Sequence, residues 1–553
     1  MVDTNTQISR AGVRLPGRWT VLAASIAALV LLPIVSVIWM AANPTENIWP
    51  HLAATTLPRY LSNTAVIMFL VAGVSAVVGT TTAWLVVQYR FPGVRVLEWL
   101  LLFPLAVPGY LGAYALVDFL DYAGPLQTML RSMFGWENAA DYWFPTIRSQ
   151  YGAILVLSAS LYPYVYLLAR AAFREQSGCV YEVAQALGAR PWRQFLRVGV
   201  PMARPAIVAG TAIVMMETVN DFGTVDYFGV QTLTTGVFSV WLEARNAGGA
   251  AQIACVILAV ICALVALEKI SRRNARYHRN TRQERIKMRH KLTGAKAAGA
   301  TIACTIPFFI GFVFPVAILT SHAWAKPERW FESGLINALA STVFVSGLAA
   351  FTTMALALLM VYGVRLSGRI GPRLILPVTT IGYAAPGAVL AVGLFIPLAA
   401  FDNRLADGVL AVTGFDPGLL LTGGTFVLIY AYCVRFFAIG QGAADAAMGR
   451  VAPNLAPAAR LLGQSPGGTL WHIHLPLIRG SIATGLLLVF VDCVKELPAT
   501  LLLRPFGFNT LATRSYEHAS LEKIGDAAPS ALLIILVSIV AVALVAREML
   551  RRV

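Results

Sequence analysis

The sequence predicts an all-α, polytopic membrane protein built as two parallel six-helix repeats, and three observations predict it. Of its 553 residues, 58% are hydrophobic and 13% are charged. Soluble domains carry about 45–50% apolar and about 25% charged residues. A mean hydropathy of +0.69 implies more apolar surface than a soluble chain can bury while keeping its exterior wetted. Apolar runs of membrane-crossing length recur about twelve times, and one polar loop recurs at a fixed spacing. The same figures exclude disorder, collagen and a secreted disulfide scaffold. The six cysteines are scattered without a CxxC pair, which suits small buried apolar side chains.

A spanning helix needs about 20 mainly apolar residues. In chain order the candidates are 19–42, 64–87, 96–119, 151–171, 205–228 and 249–267, then 298–322, 336–362, 374–399, 419–437, 478–500 and 527–546. The first is too long for a cleaved leader and lacks a small-residue cleavage site, so it is expected to be retained. Lys and Arg in short loops set the orientation. Arg10, Arg14 and Arg18 precede the first span, Arg90 and Arg95 follow the second, and Arg365, Arg369 and Arg373 follow the eighth. Arg547, Arg551 and Arg552 end the chain. The opposite loops are mixed or acidic: 121–150 holds Asp121, Glu137 and Asp141, and 401–418 holds Asp402, Asp407 and Asp416. Both termini are therefore expected in the cytoplasm.

The net charge of +16 fits basic cytoplasmic loops better than nucleic acid, which is not expected as a partner. Eleven Lys and Arg against the single acid Glu284 fall in 269–296, among them Lys269, Arg272, Arg273, Arg276 and Arg279. Such a segment reads as a solvated linker attracted to anionic lipid headgroups. The expected organisation is a first repeat over 1–268, a basic linker over 269–297 and a second repeat over 298–553.

The repeat itself lies in the loops after spans four and ten. One reads Glu182-Val-Ala-Gln-Ala-Leu-Gly188 and runs through Pro191 to Val198-Gly-Val-Pro201; the other reads Pro457-Ala-Ala-Arg-Leu-Leu-Gly463 and runs through Pro466 to Ile473-His-Leu-Pro476. Every marker recurs 275 positions later. Six spans per copy bring both halves into the membrane in the same orientation, a parallel duplication. Within each loop, Gly188 or Gly463 suits a left-handed helix cap. Pro191 or Pro466 then suits the first turn of a second short helix, with Ser465 as N-cap.

A helix, a glycine turn and a second helix with this spacing resemble the EAA motif of binding-protein-dependent ABC importer permeases. The first copy matches through Glu182, Ala184, Gly188 and Pro201, with Val198 and Val200 replacing Ile and Leu. The second matches through Ala458, Ala459, Gly463 and Pro476, with Pro457 in place of the acid. The resemblance implies that both loops dock on ATPase subunits, two copies of which would close from the cytoplasm. A periplasmic or extracellular binding protein would deliver substrate from outside, placing the chain in a bacterial cytoplasmic (inner) membrane. This chain has no G-x-x-x-x-G-K-[ST] phosphate loop, and the dipeptide Gly-Lys is absent. ATP and Mg are therefore expected on the partner subunits, with neither a cofactor nor catalytic residues here.

Ionisable residues at membrane depth mark pathways. Span five carries Glu217 and Asp221, and the spacing of 275 maps them onto Asp492 and Glu496 of span eleven, where Lys495 lies between. Each half thus places two carboxylates at i, i+4, on one helical face. Gly223 and Pro498, at equivalent positions, suggest that both helices break there. The run from Lys495 through Arg504-Pro505-Phe506-Gly507 resembles fused ferric-iron importer permeases. Hard Fe(III) favours oxygen ligands, so the acids are compatible with it, while metal ligation by named residues stays open. Thiamine or polyamine cargo in the same importer class remains an alternative. So does a proton-coupled secondary transporter of the six-plus-six type, which would need no helix-glycine-helix loop. The HExxH motif is absent, which disfavours an intramembrane metalloprotease.

Overall fold

The computed structural model describes residues 17–273, 290–367, 374–380, 382, 385–452 and 454–551. Arg10, Arg14, Arg276, Arg279, Glu284, Arg369, Arg373 and Arg552 lie outside the described residues, as does most of the basic linker. Among the described residues, twelve elements reach membrane-crossing length, by length and composition, if one bent pair counts as a single span. They are α1 (Arg18–Ala42), α2 (Leu57–Gln88), α3 (the pair Val94–Ala106 and Gly109–Phe134), α4 (Gln150–Glu175), α5 (Pro191–Asn220) and α6 (Ala247–Ile270). The second series is α7 (Gly294–Ala325), α8 (Ser333–Ser367), α9 (Gly387–Thr413), α10 (Phe426–Gly449), α11 (Pro466–Val494) and α12 (Ile524–Leu544).

Four expected spans are corrected. The third span is not continuous over 96–119: its two helices meet at 92°. Proline disfavours helical geometry at its predecessor, and Val107, before Pro108, is extended at φ −100°, ψ 108°. The ninth span is displaced too, because its long helix begins only at Gly387, after Pro386. That helix continues through Asp402 and Asp407 to a left-handed cap at Gly414 (φ 69°), so much of the expected outer loop 401–418 is helix. Asp402 is buried and accepts the backbone N–H groups of Leu420, Leu421 and Thr422 at 2.8–3.0 Å. Spans five and eleven end early, at Asn220 and Val494.

Each half packs its second, fourth and fifth spans together: α2, α4 and α5 form one bundle, and α8, α10 and α11 the other. The first span of each half crosses over. Besides α6, α1 packs against α8 and α9; besides α12, α7 packs against α3 and α4. Small residues permit this close approach. A Cβ on Gly393 would lie 2.3 Å from the Pro33 carbonyl oxygen, and one on Gly311 2.4 Å from that of Ala159. Where the chain re-enters after the linker, β2 (His290–Lys291) pairs in parallel with β1 (Tyr89–Arg90) at the end of α2.

Candidate functional site

The two repeated loops fold alike. A helix over Gly178–Ala186 ends at Gly188 (φ 77°), where the Ala189 N–H reaches back to the Ala184 carbonyl at 2.9 Å. In the second loop a helix over Leu455–Leu461 ends at Gly463 (φ 81°), and the Gln464 N–H reaches the Ala459 carbonyl at 3.0 Å. Both are glycine C-caps closed by a six-to-one hydrogen bond. Short helices follow at Pro191–Gln194 and Pro466–Thr469, then a π-turn at Phe195–Gly199 and Leu470–His474. Ser465 caps its helix by accepting from the Gly468 N–H at 3.0 Å. Because the loops join α4 to α5 and α10 to α11, both lie at the same end of the spans.

Glu182, Gly188, Ala458 and Gly463 are exposed, Ala184 is half-buried and Ala459 is buried. Pro201 and Pro476 close the loops, near the start of the long helices that continue them. Exposed apolar side chains surround the glycines: Leu187 is 82% exposed, Leu462 83%, and Trp192 and Trp471 67% each. Such surface at a loop tip suits a protein partner.

The loops are seated differently. Beneath the first, Trp84 packs edge-on or tilted against Phe173, Tyr181 and Phe195, with centroids 5.3–5.5 Å apart. Gly199 leaves room for that indole, since a Cβ there would fall 2.5 Å from it. Beneath the second, Tyr362 donates to the Pro466 carbonyl at 2.6 Å and packs against Trp19 and His474. The crossing first helix thus reaches the second loop.

All five expected pathway residues line one cavity of about 150 Å³: Glu217, Asp221, Asp492, Lys495 and Glu496. Their arrangement differs from the single-face expectation. The helices stop at Asn220 and Val494, so only Glu217 and Asp492 sit within them. Asp221 and Glu496 lie in the breaks and cap the short helices that follow, Gly223–Tyr227 and Pro498–Leu503. Asp221 accepts from the Thr224 and Val225 N–H groups at 3.1 Å, and Glu496 from the Ala499 N–H at 3.1 Å. An N-capping carboxylate meets orphan amides and the positive end of the helix dipole. These local forces stop each helix at its acid.

Lys495 pairs with Asp492 at 2.7 Å. The sequence reading missed Arg435 on α10, whose Nε lies 3.1 Å from Glu496. It also missed Gly109 and Gly387, each of which follows a proline at the start of its helix. A Cβ on Gly109 would stand 2.6 Å from the Thr224 hydroxyl, and one on Gly387 2.4 Å from the Glu496 carboxylate. An arginine inside an apolar run was the available signal for Arg435. The Pro-Gly pairs at 108–109 and 386–387, 278 positions apart, were the signal for the glycines. Among the described residues, no three His, Cys, Asp or Glu side chains gather closely enough to hold a metal ion.

Ion pairs between the halves lie near the spans' other ends: His322 with Asp118 at 2.7 Å, and Arg148 with Glu522 at 2.9 Å.

The family of binding-protein-dependent transport system inner membrane components matches residues 75–276 and again 354–552. An Fe(3+)-transport system permease protein, FbpB 2, of Haemophilus influenzae is 25% identical over 87% of this chain and 88% of its own length. The sulfate transport system permease protein CysT of Escherichia coli is 25% identical over 46% of this chain and 90% of its own. The molybdenum transport system permease protein ModB of Escherichia coli is 27% identical over 41% and 97%. The chain therefore belongs to the binding-protein-dependent transport system inner membrane component family, which it matches in two successive copies.

Proposed function

We propose that this chain forms the translocation path of an ATP-driven, binding-protein-dependent importer of ferric iron, with both permease halves fused. The observation that carries the reading is the pair of loops at 182–201 and 457–476, alike in cap, turn and exposed apolar tip. A separate ATPase subunit docks on each, giving two copies that bind ATP and Mg. A substrate-loaded binding protein docks at the opposite face, which is exterior when the loops and both chain termini face the cytoplasm. The family match favours this importer over the proton-coupled alternative, and the iron permease from Haemophilus influenzae, matched across most of both chains, supports the cargo. Four carboxylates on one cavity agree with a hard cation.

A second reading has its own support. The sulfate and molybdenum permeases are also relatives, and Lys495 and Arg435 in the cavity wall are groups that an oxyanion attracts. Uptake by the chain reconstituted with its ATPase separates the two. Iron accumulation that needs both ATP and an iron-loaded binding protein supports the first. Accumulation of sulfate or molybdate without iron overturns it.

A further inference from the structure

The cavity has a charge asymmetry that the duplication exposes. At the spacing of 275 that aligns the fourth and fifth spans of the halves, Glu217 corresponds to Asp492 and Asp221 to Glu496. The basic residues do not recur: Lys495 corresponds to Asn220, and Arg435 to Ser160. All eight positions line the same cavity. Both carboxylates of the second half therefore carry a basic partner contributed by their own half, at 2.7 and 3.1 Å. At the first-half counterparts of those bases stand a neutral amide and a hydroxyl.

Two further observations show that the wall is built to receive a positive group. Asn220 is 6% exposed and its side-chain oxygen accepts no hydrogen bond, leaving a buried acceptor that lacks a donor. The Lys495 side chain is 27% exposed, and since it lines the cavity that exposure faces the internal space. Its ammonium lies within the electrostatic reach of Glu217 as well as Asp492. An ammonium is a compact point charge on a flexible stem, so it can leave one carboxylate for another at small structural expense. Arg435, with its planar fork on Glu496 against the helix break, is the fixed member of the pair.

We infer that Lys495 is a tethered counter-ion: in the cargo-free state its ammonium, paired with Asp492, supplies the positive charge of the cavity, and a cargo cation that takes the oxygens of Glu217, Asn220 and Asp221 must bind against it. The inference rests on the proposed cation cargo and adds to it the residue that keeps the empty pathway from filling with other cations. Lys495 is a gating residue that need not touch the cargo.

Terbium(III) is a hard, oxygen-seeking probe whose luminescence is sensitised by nearby tyrosines, and Tyr110 and Tyr164 line this cavity. The full-length chain in nanodiscs is titrated with terbium as wild type, K495Q, K495R and K495Q/E217Q. K495Q is expected to tighten terbium binding at least about tenfold, K495R to match wild type, and K495Q/E217Q to lose the gain. Retained ATPase association and a single size-exclusion peak show that each variant is folded. If K495Q binds terbium no more tightly than wild type, or if K495Q/E217Q keeps the gain, the counter-ion role is overturned. Iron uptake by the wild type, measured in parallel, separates this failure from failure of the cargo assignment. Wild-type uptake of an oxyanion in place of iron, abolished in K495Q, overturns the cation reading and this inference with it.

Discussion

Replacing Gly188 with alanine isolates the contribution of one backbone angle to coupling. Gly188 has φ 77°, and a Cβ built on it meets nothing within 4 Å, so added bulk clashes with no neighbour in the chain. The whole penalty is conformational. A left-handed residue other than glycine costs about 1–2 kcal/mol, which lowers the population of the native turn about 5–30-fold relative to its alternatives. Asparagine tolerates this region better than alanine, and a β-branched residue tolerates it least. Coupling, measured as cargo accumulated per ATP hydrolysed in reconstituted vesicles, should therefore fall in the order Gly, Asn, Ala, Val. The thermal stability of the membrane body should hardly change, because the loop is exposed. Wild-type coupling in Gly188→Ala, or Asn proving as harmful as Val, would refute the reasoning.

Three further substitutions probe the body and the cavity. Gly387→Ala would set a methyl group 2.4 Å from Glu496 and 2.9 Å from the Ala499 nitrogen, so it should displace the carboxylate from Arg435 and abolish uptake, at about 1–3 kcal/mol of stability read by thermal unfolding. Gly393→Val would drive side-chain atoms into the Pro33 carbonyl, backbone that cannot yield cheaply. It should lower the unfolding midpoint more than the same change at Gly347, which faces open space. Asp402→Asn would exchange a carboxylate that accepts three backbone N–H groups for an amide with one acceptor oxygen. A loss of about 1–3 kcal/mol should appear as faster hydrogen exchange confined to residues 419–423.

The membrane class, the parallel duplication and the two loops were legible because they rest on composition and on motifs repeated at one spacing. Gly188 and Gly463 were readable as caps for a local reason, since each sits where its own short helix must stop. The helix breaks were legible too, although they fall just before Gly223 and Pro498, which open the next helices. Single-face placement of the paired acids was not upheld, because periodicity assumes that the helix continues, whereas Asp221 and Glu496 end their helices by capping the next ones. Arg435 escaped because its partner Glu496 is 61 positions away, and no local pattern reports a tertiary ion pair. The crossing of α1 and α7 was hidden for a similar reason. Apolar helices carry little record of which neighbour they face, and the clue lies in single small residues at the contacts, such as Gly393 on the helix that receives α1 and Gly311 on α7 itself. Asp402 read as a loop acid because three acids in 401–418 suggested a polar connection, but its carboxylate, inside a long helix, instead ties that helix to the segment that follows it.

Cross-linking from the two loops tests the duplicated permease most directly. Single cysteines at Leu187 or Leu462, in a Cys179→Ser background, would be reacted in inside-out membrane vesicles holding the ATPase subunits. Both positions should trap an ATPase subunit, and nucleotide should change the yield at each. Labelling of either cysteine only by an impermeant reagent applied to the outer face, or failure of both to reach the ATPase, would contradict the account.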